Sequence, residues 1–397
     1  MPQPILFTPL KLRGLTIPNR VVVAPMCQYS ATDGLAGDWH HQHYGALAAS
    51  GPGMIVLEAT GVTPEGRISA TDLGLWDDAT EQALTRLVSM MKTFGNSTVA
   101  VQLQHAGRKA STARLWEGGA PTGGWQTIAP SAVPFGEGGP TPREMTRTDM
   151  DEVRDAFAAA ARRARRVGFD AIEVHSAHGY LLHQFLSPLA NRRGDDYGGS
   201  LDNRMRFPLE VIATLRAAWP TNKPLGVRVS VTDWLDGGFT LDEAVVFAKA
   251  FATLGVDYIC VTSGGIVGQA PIPIGPGYQV ALADRIRSET GLVTRAVGLI
   301  VDPSQAESVL TEGRADMVAL GRAFLDNPRW TWHAAEALGA ETFIPPQYGR
   351  AARKVWSGAE CVMPALVAMA RWPRWTALTS AGMSARRIRR RTARTAA

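Results

Sequence analysis

Residues 148–175, TDMDEVRDAFAAAARRARRVGFDAIEVH, indicate the fold of this chain. The first turn of this stretch is acidic, its apolar residues recur at helical spacing, and Gly168 follows the last turn, so the pattern predicts a helix over Thr148–Val167. The near-continuous apolar run Phe169–His175 then predicts a strand that is buried on both faces. A helix followed directly by such a strand is typical of parallel α/β proteins.

The same alternation continues along the rest of the chain. Further apolar runs predict strands at Arg20–Ala24, Met54–Ala59, Val99–Gln102, Leu225–Ser230, Asp257–Thr262, Leu292–Val297 and Asp316–Leu320. Segments with helical periodicity lie at Asp77–Phe94, Leu201–Ala218, Leu241–Leu254, Tyr278–Ser288, Asp302–Thr311 and Pro328–Leu338. Eight strand–helix units in one register predict a single (β/α)8 TIM barrel with an N-terminal cap. A doubly wound open sheet is the alternative fold, but its phosphate-binding motif G-x-G-x-x-G is missing.

Charge divides the chain into two parts. Residues 351–397 contain ten Lys or Arg residues and a single acid, Glu360, so the chain's net charge of +5 leaves residues 1–350 at −4. We therefore assign the barrel to residues 1–350 and a basic C-terminal extension to residues 351–397. We expect that extension to be solvated or poorly ordered rather than to bind nucleic acid.

Targeting signals and cysteine spacing favour a cytoplasmic protein. The longest apolar runs fall short of the roughly 18 residues that a membrane span needs, and the N-terminus lacks the layout of a signal peptide. Cys27, Cys260 and Cys361 are too few and too scattered for a disulfide framework, and they form no C-x-x-C metal site.

A long segment from His105 to about Thr148 interrupts the alternation after the third predicted strand. It is rich in Gly, Pro and Trp, which favours a loop without regular structure. Long loops of this kind are usually functional, so we expect this one to lie over the barrel mouth.

Glycine and arginine residues follow the last two predicted strands, at the barrel end where active sites lie. Gly298 comes after the seventh strand, and Gly321 and Arg322 come after the eighth. Barrels commonly bind phosphate at this position through backbone N–H groups, and a guanidinium is a permanently charged fork for phosphate oxygens. The alternative for Arg322 is a structural arginine that pairs with an aspartate.

His175, His178 and Tyr180 follow the fourth predicted strand. Two imidazoles can donate hydrogen bonds to one carbonyl oxygen, and the phenol beside them is a weak acid. One alternative is a metal-dependent TIM-barrel hydrolase in which the two histidines are ligands. Its further ligand candidates would be His40, His41, His43 and His105. A further alternative for the whole chain is a non-catalytic barrel that binds a phosphate compound.

Several longer stretches resemble the old yellow enzyme family, in particular its thermophilic-like and xenobiotic reductase branch. The matching motifs are Leu6–Leu10 (LFTPL), Pro18–Arg20 (PNR), Ala24–Tyr29 (APMCQY), Gln102–Ala110 (QLQHAGRKA), His175–Leu182 (HSAHGYLL), Phe185–Pro188 (FLSP), Asp196–Ser200 (DYGGS), Arg228–Ser230 (RVS) and Gly321-Arg322. The likeness covers about residues 4–350. It implies an FMN-dependent ene-reductase: NAD(P)H reduces a non-covalently bound FMN, which passes hydride to the β-carbon of an α,β-unsaturated carbonyl or nitro compound.

The resemblance also implies roles for individual residues. The implied flavin-binding residues are Ala24, Pro25, Met26, Cys27, Ala59, Gln102, Arg228, Gly298, Gly321 and Arg322. The implied substrate-binding residues are Tyr29, His175, His178 and Arg350. Within this set, His175 and His178 would hold the substrate oxygen, and Tyr180 would be the proton donor. The iron–sulfur relatives of this family are set aside because the necessary cysteines are absent.

The C-terminal end departs from the family pattern. In this branch the chain ends shortly after a Gln-Tyr-x-Arg-Gly/Ala-Trp stretch, whose arginine reaches into the active site of a neighbouring subunit. Here Gln347–Ala351 matches, Ala352 stands in place of the Trp, and the chain continues to Ala397. The resemblance implies a homo-oligomer in which Arg350 reaches the neighbouring subunit.

Overall fold

A computed structural model describes residues 3–352 and 354–358. Its strands are β1 (Leu10–Leu12), β2 (Leu15–Ile17), β3 (Val21–Val23), β4 (Met54–Gly61), β5 (Thr98–Gln104), β6 (Ile128–Ala129), β7 (Arg143–Glu144), β8 (Ala171–Ser176), β9 (Leu225–Ser230), β10 (Tyr258–Thr262), β11 (Val293–Ala296) and β12 (Met317–Leu320). Eight of them, β3, β4, β5 and β8 to β12, pair in parallel and close into a barrel. The predicted (β/α)8 barrel is confirmed, and each predicted strand overlaps an observed one.

The helices alternate with these strands. They are α1 (Asp38–Ala48), α2 (Asp78–Phe94), α3 (Arg147–Val167), α4 (Leu181–Leu186), α5 (Leu201–Ala218), α6 (Leu241–Leu254), α7 (Val280–Thr290), α8 (Pro303–Thr311), α9 (Arg322–Asp326) and α10 (Trp330–Ala337). The sequence pattern missed α1, α4 and α9. Helices α4 and α9 have six and five residues, which is too short to show a helical period.

Helix α3 begins one residue earlier than predicted because its capping residue is Thr146. The Thr146 hydroxyl accepts a hydrogen bond from the Asp149 backbone N–H at 3.2 Å, and the Asp149 carboxylate accepts one from the Thr146 N–H at 2.6 Å. This reciprocal arrangement is a capping box. The helix ends at Gly168, whose φ of 95° is in the left-handed region that favours glycine.

The N-terminal cap is an antiparallel hairpin of β1 and β2. Its Leu12 and Ile17 side chains are buried in one apolar cluster with Met54, Tyr258 and Met317. Those three residues are the first of their barrel strands, so the hairpin packs at the amino-terminal end of the barrel. The opposite end of the barrel, at the carboxyl ends of its strands, is not covered by this hairpin.

The long loop after β5 is partly ordered, so the expectation of no regular structure was wrong. It contains short 3-10 helices at Gly107–Lys109 and Leu115–Glu117, and β6 pairs with β7. The loop does lie at the barrel mouth: Arg108 donates from its side chain to the Ile266 carbonyl at 2.7 Å.

The chain divides into two compact units, residues 1–349 and 350–397. The first unit contains the barrel. Most of the second unit lies outside the described residues, so the boundary after residue 350 and the nature of the basic extension remain predictions. Among the residues that the structure does describe, none forms a helix long and apolar enough to cross a membrane.

Candidate active site

A cavity of about 400 Å³ opens at the carboxyl ends of the barrel strands. Eight of the predicted site residues line it, namely Ala24, Pro25, Met26, His178, Arg228, Gly298, Gly321 and Arg322. They lie between Ala24 and Arg322 in the sequence. They meet because the parallel strands all end at the same face of the barrel. Arg350 belongs to the second compact unit, and its role stays a prediction.

The charge of the cavity lining suits an anionic ligand. Arg228 and Arg322 are lining residues, and no Asp or Glu is found among the described residues that line the cavity. Within that same part of the chain neither arginine forms an ion pair. The alternative of Arg322 as a structural arginine paired with an aspartate is therefore not supported.

Gly298 provides a close backbone approach at one side of the cavity. Its φ is 114°, and a Cβ atom there would lie 3.0 Å from Gln279 Nε2 and 3.1 Å from the Tyr278 ring. The Gln279 amide is oriented by Thr262 and Ser263, whose hydroxyls donate to its Oε1 at 3.1 and 2.7 Å. Glycine suits this position because the positive φ would strain any other residue and because Gln279 and Tyr278 would have to shift to make room for a Cβ atom.

Arg228 and Gln102 offer complementary hydrogen-bonding groups. Arg228 lines the cavity, and its buried Nε atom has no hydrogen-bond partner within the described residues. Gln102 is buried and donates from Nε2 to Glu173 at 2.8 Å, so its other amide atom, the Oε1 acceptor, is left for a ligand. Glu173 is in turn paired with the fully buried Arg295. A ligand with a hydrogen-bond acceptor near Arg228 and a donor near Gln102 would satisfy both groups.

Cys27, Tyr29, Ala59 and Tyr180 meet in a small apolar cluster next to the cavity. Burial, and then the nearby carboxylates of Asp72 and Glu58, raise the pKa of the Cys27 thiol well above its ordinary value. Cys27 is therefore a neutral thiol rather than a reactive thiolate.

A β-bulge between Leu57 and Ala59 precedes this cluster. It leaves Glu58 fully buried, where its carboxylate accepts from the Gln28 backbone N–H at 2.7 Å and from the Tyr44 hydroxyl at 3.2 Å. Burial raises the pKa of Glu58 to about 8. Bulges often occur next to active sites, and this one anchors the segment that carries Cys27.

His175 and His178 are adjacent and uncharged at neutral pH. Burial, followed by the charge of Arg228, lowers the pKa of both imidazoles well below their ordinary value. His175 Nδ1 accepts from the Ala177 N–H at 3.3 Å, which leaves its proton on Nε2, 3.3 Å from His178 Nδ1. His178 Nε2 then carries a proton 3.1 Å from Thr262 Oγ1. The pair is a chain of N–H donors at the cavity edge.

Tyr180 completes this group. Its ring centroid lies 4.9 Å from that of His175, and Lys109 Nζ lies 5.0 Å from the Tyr180 ring. Burial raises the pKa of the Tyr180 phenol well above its ordinary value. The same cause, with the charge of Arg108, lowers the pKa of Lys109 to about 8. Tyr180 therefore keeps its proton at neutral pH.

Some lining residues were not predicted. Tyr278 and Gln279 were expected to lie within a helix, whereas α7 begins at Val280 and both residues point into the cavity. Lys109 belongs to the QLQHAGRKA motif but received no role. Its charge, seven residues past the end of the predicted strand Val99–Gln102, could have indicated a role at the barrel mouth.

A closed parallel barrel with an acid-free, arginine-containing cavity and a neutral His–His–Tyr group defines a barrel enzyme that binds an anionic cofactor or substrate. Comparison with known proteins gives the family. Residues 5–341 match the family described as "NADH:flavin oxidoreductase / NADH oxidase family". The chain is 48% identical over 348 residues to an NADPH dehydrogenase of Geobacillus thermodenitrificans, covering 87% of this chain and 98% of that protein. It is 47% identical over 348 residues to an NADPH dehydrogenase of Bacillus licheniformis, with the same two coverages.

Solved structures agree with the sequence relatives. Morphinone reductase superposes with a TM-score of 0.71 at 30% identity, over 87% of this chain and 92% of the other. The old yellow enzyme homologue from Zymomonas mobilis superposes with a TM-score of 0.71 at 26% identity, over 85% and 94%. The chain belongs to the NADH:flavin oxidoreductase family, that of the old yellow enzymes. It is an NAD(P)H-dependent flavin oxidoreductase, and its cofactors are FMN and NAD(P)H.

The residues of the cavity fit FMN. The two lining arginines without an acidic partner suit a phosphate and an electron-rich ring edge, and the unpartnered Arg228 Nε suits an acceptor of a flavin pyrimidine. Gln102, which is not among the lining residues, pairs across the barrel sheet with Ala59, and its Oε1 would suit the pyrimidine N–H. Membership of this family replaces the hydrolase alternative. Within the described residues, no group of three His, Cys, Asp or Glu side chains is placed to hold a metal ion.

Proposed function

We propose that this flavin oxidoreductase is an ene-reductase that reduces the activated double bond of an α,β-unsaturated carbonyl or nitro compound. The observation that carries the proposal is the neutral pair of His175 and His178 beside the protonated Tyr180, at the edge of the cavity that suits FMN. Bound FMN, once reduced by NAD(P)H, supplies a hydride.

The histidine pair would bind the substrate oxygen. Both imidazoles carry an N–H, and the His175–His178 contact of 3.3 Å is long for a hydrogen bond. A carbonyl oxygen could therefore replace His178 Nδ1 as the acceptor of the His175 N–H. The His178 N–H, which lies 3.1 Å from Thr262 Oγ1, would turn from that hydroxyl to the same oxygen. Two N–H donors on one oxygen withdraw electron density from the β-carbon, and they act strongly in a buried site. Because burial keeps both imidazoles neutral, they polarise the oxygen without protonating it.

Tyr180 would then deliver a proton to the α-carbon. The phenol is a general acid that stays protonated, and its ring packs against His175. The charge of Arg228 acts to lower the pKa of this phenol, against the larger effect of burial, so Arg228 would stabilise the negative charge that develops on the phenol oxygen during transfer. Lys109 Nζ lies 5.0 Å from the ring. Tyr29, whose ring meets Trp116 edge-on at 5.8 Å, would lie on the substrate side.

The remaining predicted residues would hold the cofactor without a covalent bond. Ala24, Pro25, Met26 and Cys27 would flank the ring system, and Ala59, Gln102 and Arg228 would face its pyrimidine edge. Gly298, Gly321 and Arg322 would hold the phosphate. Arg350 would reach the site of a neighbouring subunit in a homo-oligomer, as the family motif at Gln347–Ala351 suggests.

Replacing His175 with Ala tests the substrate-binding role. We expect the dissociation constant for 2-cyclohexenone to rise by about 10- to 100-fold, because a buried donor to the substrate oxygen is lost. Binding can be followed by the change that the enone causes in the visible spectrum of the oxidised flavin. His333→Ala on α10, outside the cavity, is the matched control and should bind the enone normally. Unchanged binding by the His175 variant would rule out its proposed role.

A further inference from the structure

His178 and the residue after it form a strained turn. His178 and Gly179 both have left-handed backbone conformations, with φ of 56° and 73°. A Cβ atom on Gly179 would lie 2.1 Å from the Gly265 carbonyl oxygen, so the two backbones are in direct contact. A left-handed histidine is uncommon, and such strain persists where the surroundings hold it in place.

Side chains satisfy all four backbone polar groups of this turn. The His178 N–H donates to Ser230 Oγ at 2.9 Å, and the His178 carbonyl accepts from Lys109 Nζ at 2.8 Å. The Gly179 carbonyl accepts from Gln184 Nε2 at 2.7 Å, and the Gly179 N–H donates to His183 Nδ1 at 2.9 Å. The last contact is the one that depends on a protonation state, because an imidazole nitrogen accepts only when it carries no proton.

Asp233 faces the other nitrogen of His183. Its Oδ1 lies 3.0 Å from His183 Nε2, and both side chains are fully buried. The approach is bent away from the N–H direction, so it is a close charge–dipole contact rather than a linear hydrogen bond, and within the described residues neither atom has another partner. The second oxygen, Oδ2, accepts from the Ser187 hydroxyl at 2.6 Å and the Phe239 N–H at 2.7 Å. A carboxylate at this place favours the proton of His183 on Nε2.

We propose that His183, with its tautomer set by Asp233, is a positioning residue that holds the Gly179 N–H and so fixes His178 and Tyr180 for the substrate. The proposal rests on the proposed function for the roles of His178 and Tyr180. Neither His183 nor Asp233 is among the described residues that line the cavity. In catalytic triads a carboxylate orients the imidazole that acts in catalysis. Here the carboxylate orients an imidazole that accepts a hydrogen bond from a backbone N–H.

Asp233→Asn is a volume-conserving test with a definite structural expectation. The Phe239 backbone N–H cannot reverse its direction, so the new amide oxygen takes the place of Oδ2 and the amide NH2 takes the place of Oδ1. A donor then faces His183 Nε2 and drives the ring proton to Nδ1, opposite the Gly179 N–H. We expect the turn to loosen and 2-cyclohexenone to bind and react about 10- to 100-fold less well, as misplaced catalytic groups do. Flavin content should stay unchanged.

The tautomer can be read without activity. In the ¹⁵N-labelled flavin-loaded protein, the ring-nitrogen shifts of His183 should report protonated Nε2 in the wild type and protonated Nδ1 in Asp233→Asn. Ser187→Ala is the matched control, since it removes a donor from the distant oxygen Oδ2 and should keep the wild-type tautomer and enone binding. A wild-type His183 with its proton on Nδ1 would overturn the proposal.

Two variants at His183 keep the test decisive if Asp233→Asn fails to fold. In His183→Asn the amide oxygen can still accept from the Gly179 N–H, whereas His183→Leu has no acceptor. We expect the asparagine variant to keep most of the enone affinity and the leucine variant to lose it. Equal losses in both would mean that His183 acts through packing alone. If the wild type has the predicted tautomer but neither binds nor reduces an enone, the proposed function fails and the tautomer result stands.

Discussion

Tyr180 is the residue at which a substitution tests the proposed chemistry most clearly. Its half-buried ring packs against His175, and partial burial raises the pKa of the phenol, so it keeps its proton at neutral pH. A proton donor of this kind is needed only when the substrate is reduced. Reduction of the flavin by NAD(P)H requires no proton from this position, so the two half-reactions should respond differently to its loss.

Tyr180→Phe should therefore slow reoxidation of the reduced flavin by 2-cyclohexenone by about 10² to 10⁴, the usual contribution of a general acid. Reduction of the flavin by NAD(P)H should hardly change. Anaerobic stopped-flow measurements at the flavin absorbance band separate the two rates. Tyr29→Phe removes the other phenol of the same cluster and is the control, for which a smaller effect is expected. If Tyr180→Phe slowed both half-reactions equally, Tyr180 would only shape the pocket.

Single site residues were predictable from the sequence where residues with useful side-chain chemistry stand together at the end of a predicted strand. His175, His178 and Tyr180 stand together at a strand end, so their meeting needed no tertiary information. His183 and Asp233 were not predictable, because they are 50 residues apart and meet only after the segment past β9 folds over α4. Gln102 was expected to bind the flavin, but its bond to Glu173 on the neighbouring barrel strand, which uses one of its two amide N–H groups, was not predictable.

Among the structural elements, the segments after β11 and β12 are the ones that we propose to hold the cofactor phosphate. Gly298 gives close backbone approach at one of them, and Arg322 gives charge at the other. In the described structure Arg322 has no acidic partner, so its charge is available to a ligand.

Arg322→Ala should weaken FMN binding by about 10- to 150-fold, since a charge-assisted contact of about 1.5–3 kcal/mol is lost. Titration of the flavin-free protein with FMN, followed by quenching of flavin fluorescence, measures the effect. Arg285→Ala is a control of the same chemistry, because Arg285 lies on α7 and is occupied by Glu289 and Asp242. Equal FMN affinity in the two variants would place the phosphate elsewhere.

Long elements were predictable because their apolar period extends over several turns or a whole buried strand. Helix α5 was predicted with the bounds that the structure has, and so was strand β9. The short helices α4 and α9 show no period. The ordered pieces of the loop after β5 depend on contacts made at the barrel mouth, such as that of Arg108 with Ile266, which local sequence does not encode.

At the scale of the whole molecule, the barrel forms a compact unit that ends at Gly349. The basic extension carries the excess positive charge of the chain, and the family match spans residues 5–341. A chain that stops after Ala359 should therefore bind FMN and turn over an enone as the full-length protein does. Flavin content and steady-state turnover of both chains decide this. Loss of either in the shortened chain would show that the extension takes part in the site.

Isotope labelling tests the proposed reaction of the whole enzyme most directly. The wild-type protein is incubated with 2-cyclohexenone and NADPH that carries deuterium at both C4 positions, and then with unlabelled NADPH in D2O. We predict cyclohexanone with deuterium on the β-carbon in the first case and on the α-carbon in the second, because hydride comes from NADPH through FMN and the proton comes through Tyr180. Reduction of the carbonyl to an alcohol, or NADPH-derived deuterium on the α-carbon, would contradict the proposed ene-reductase.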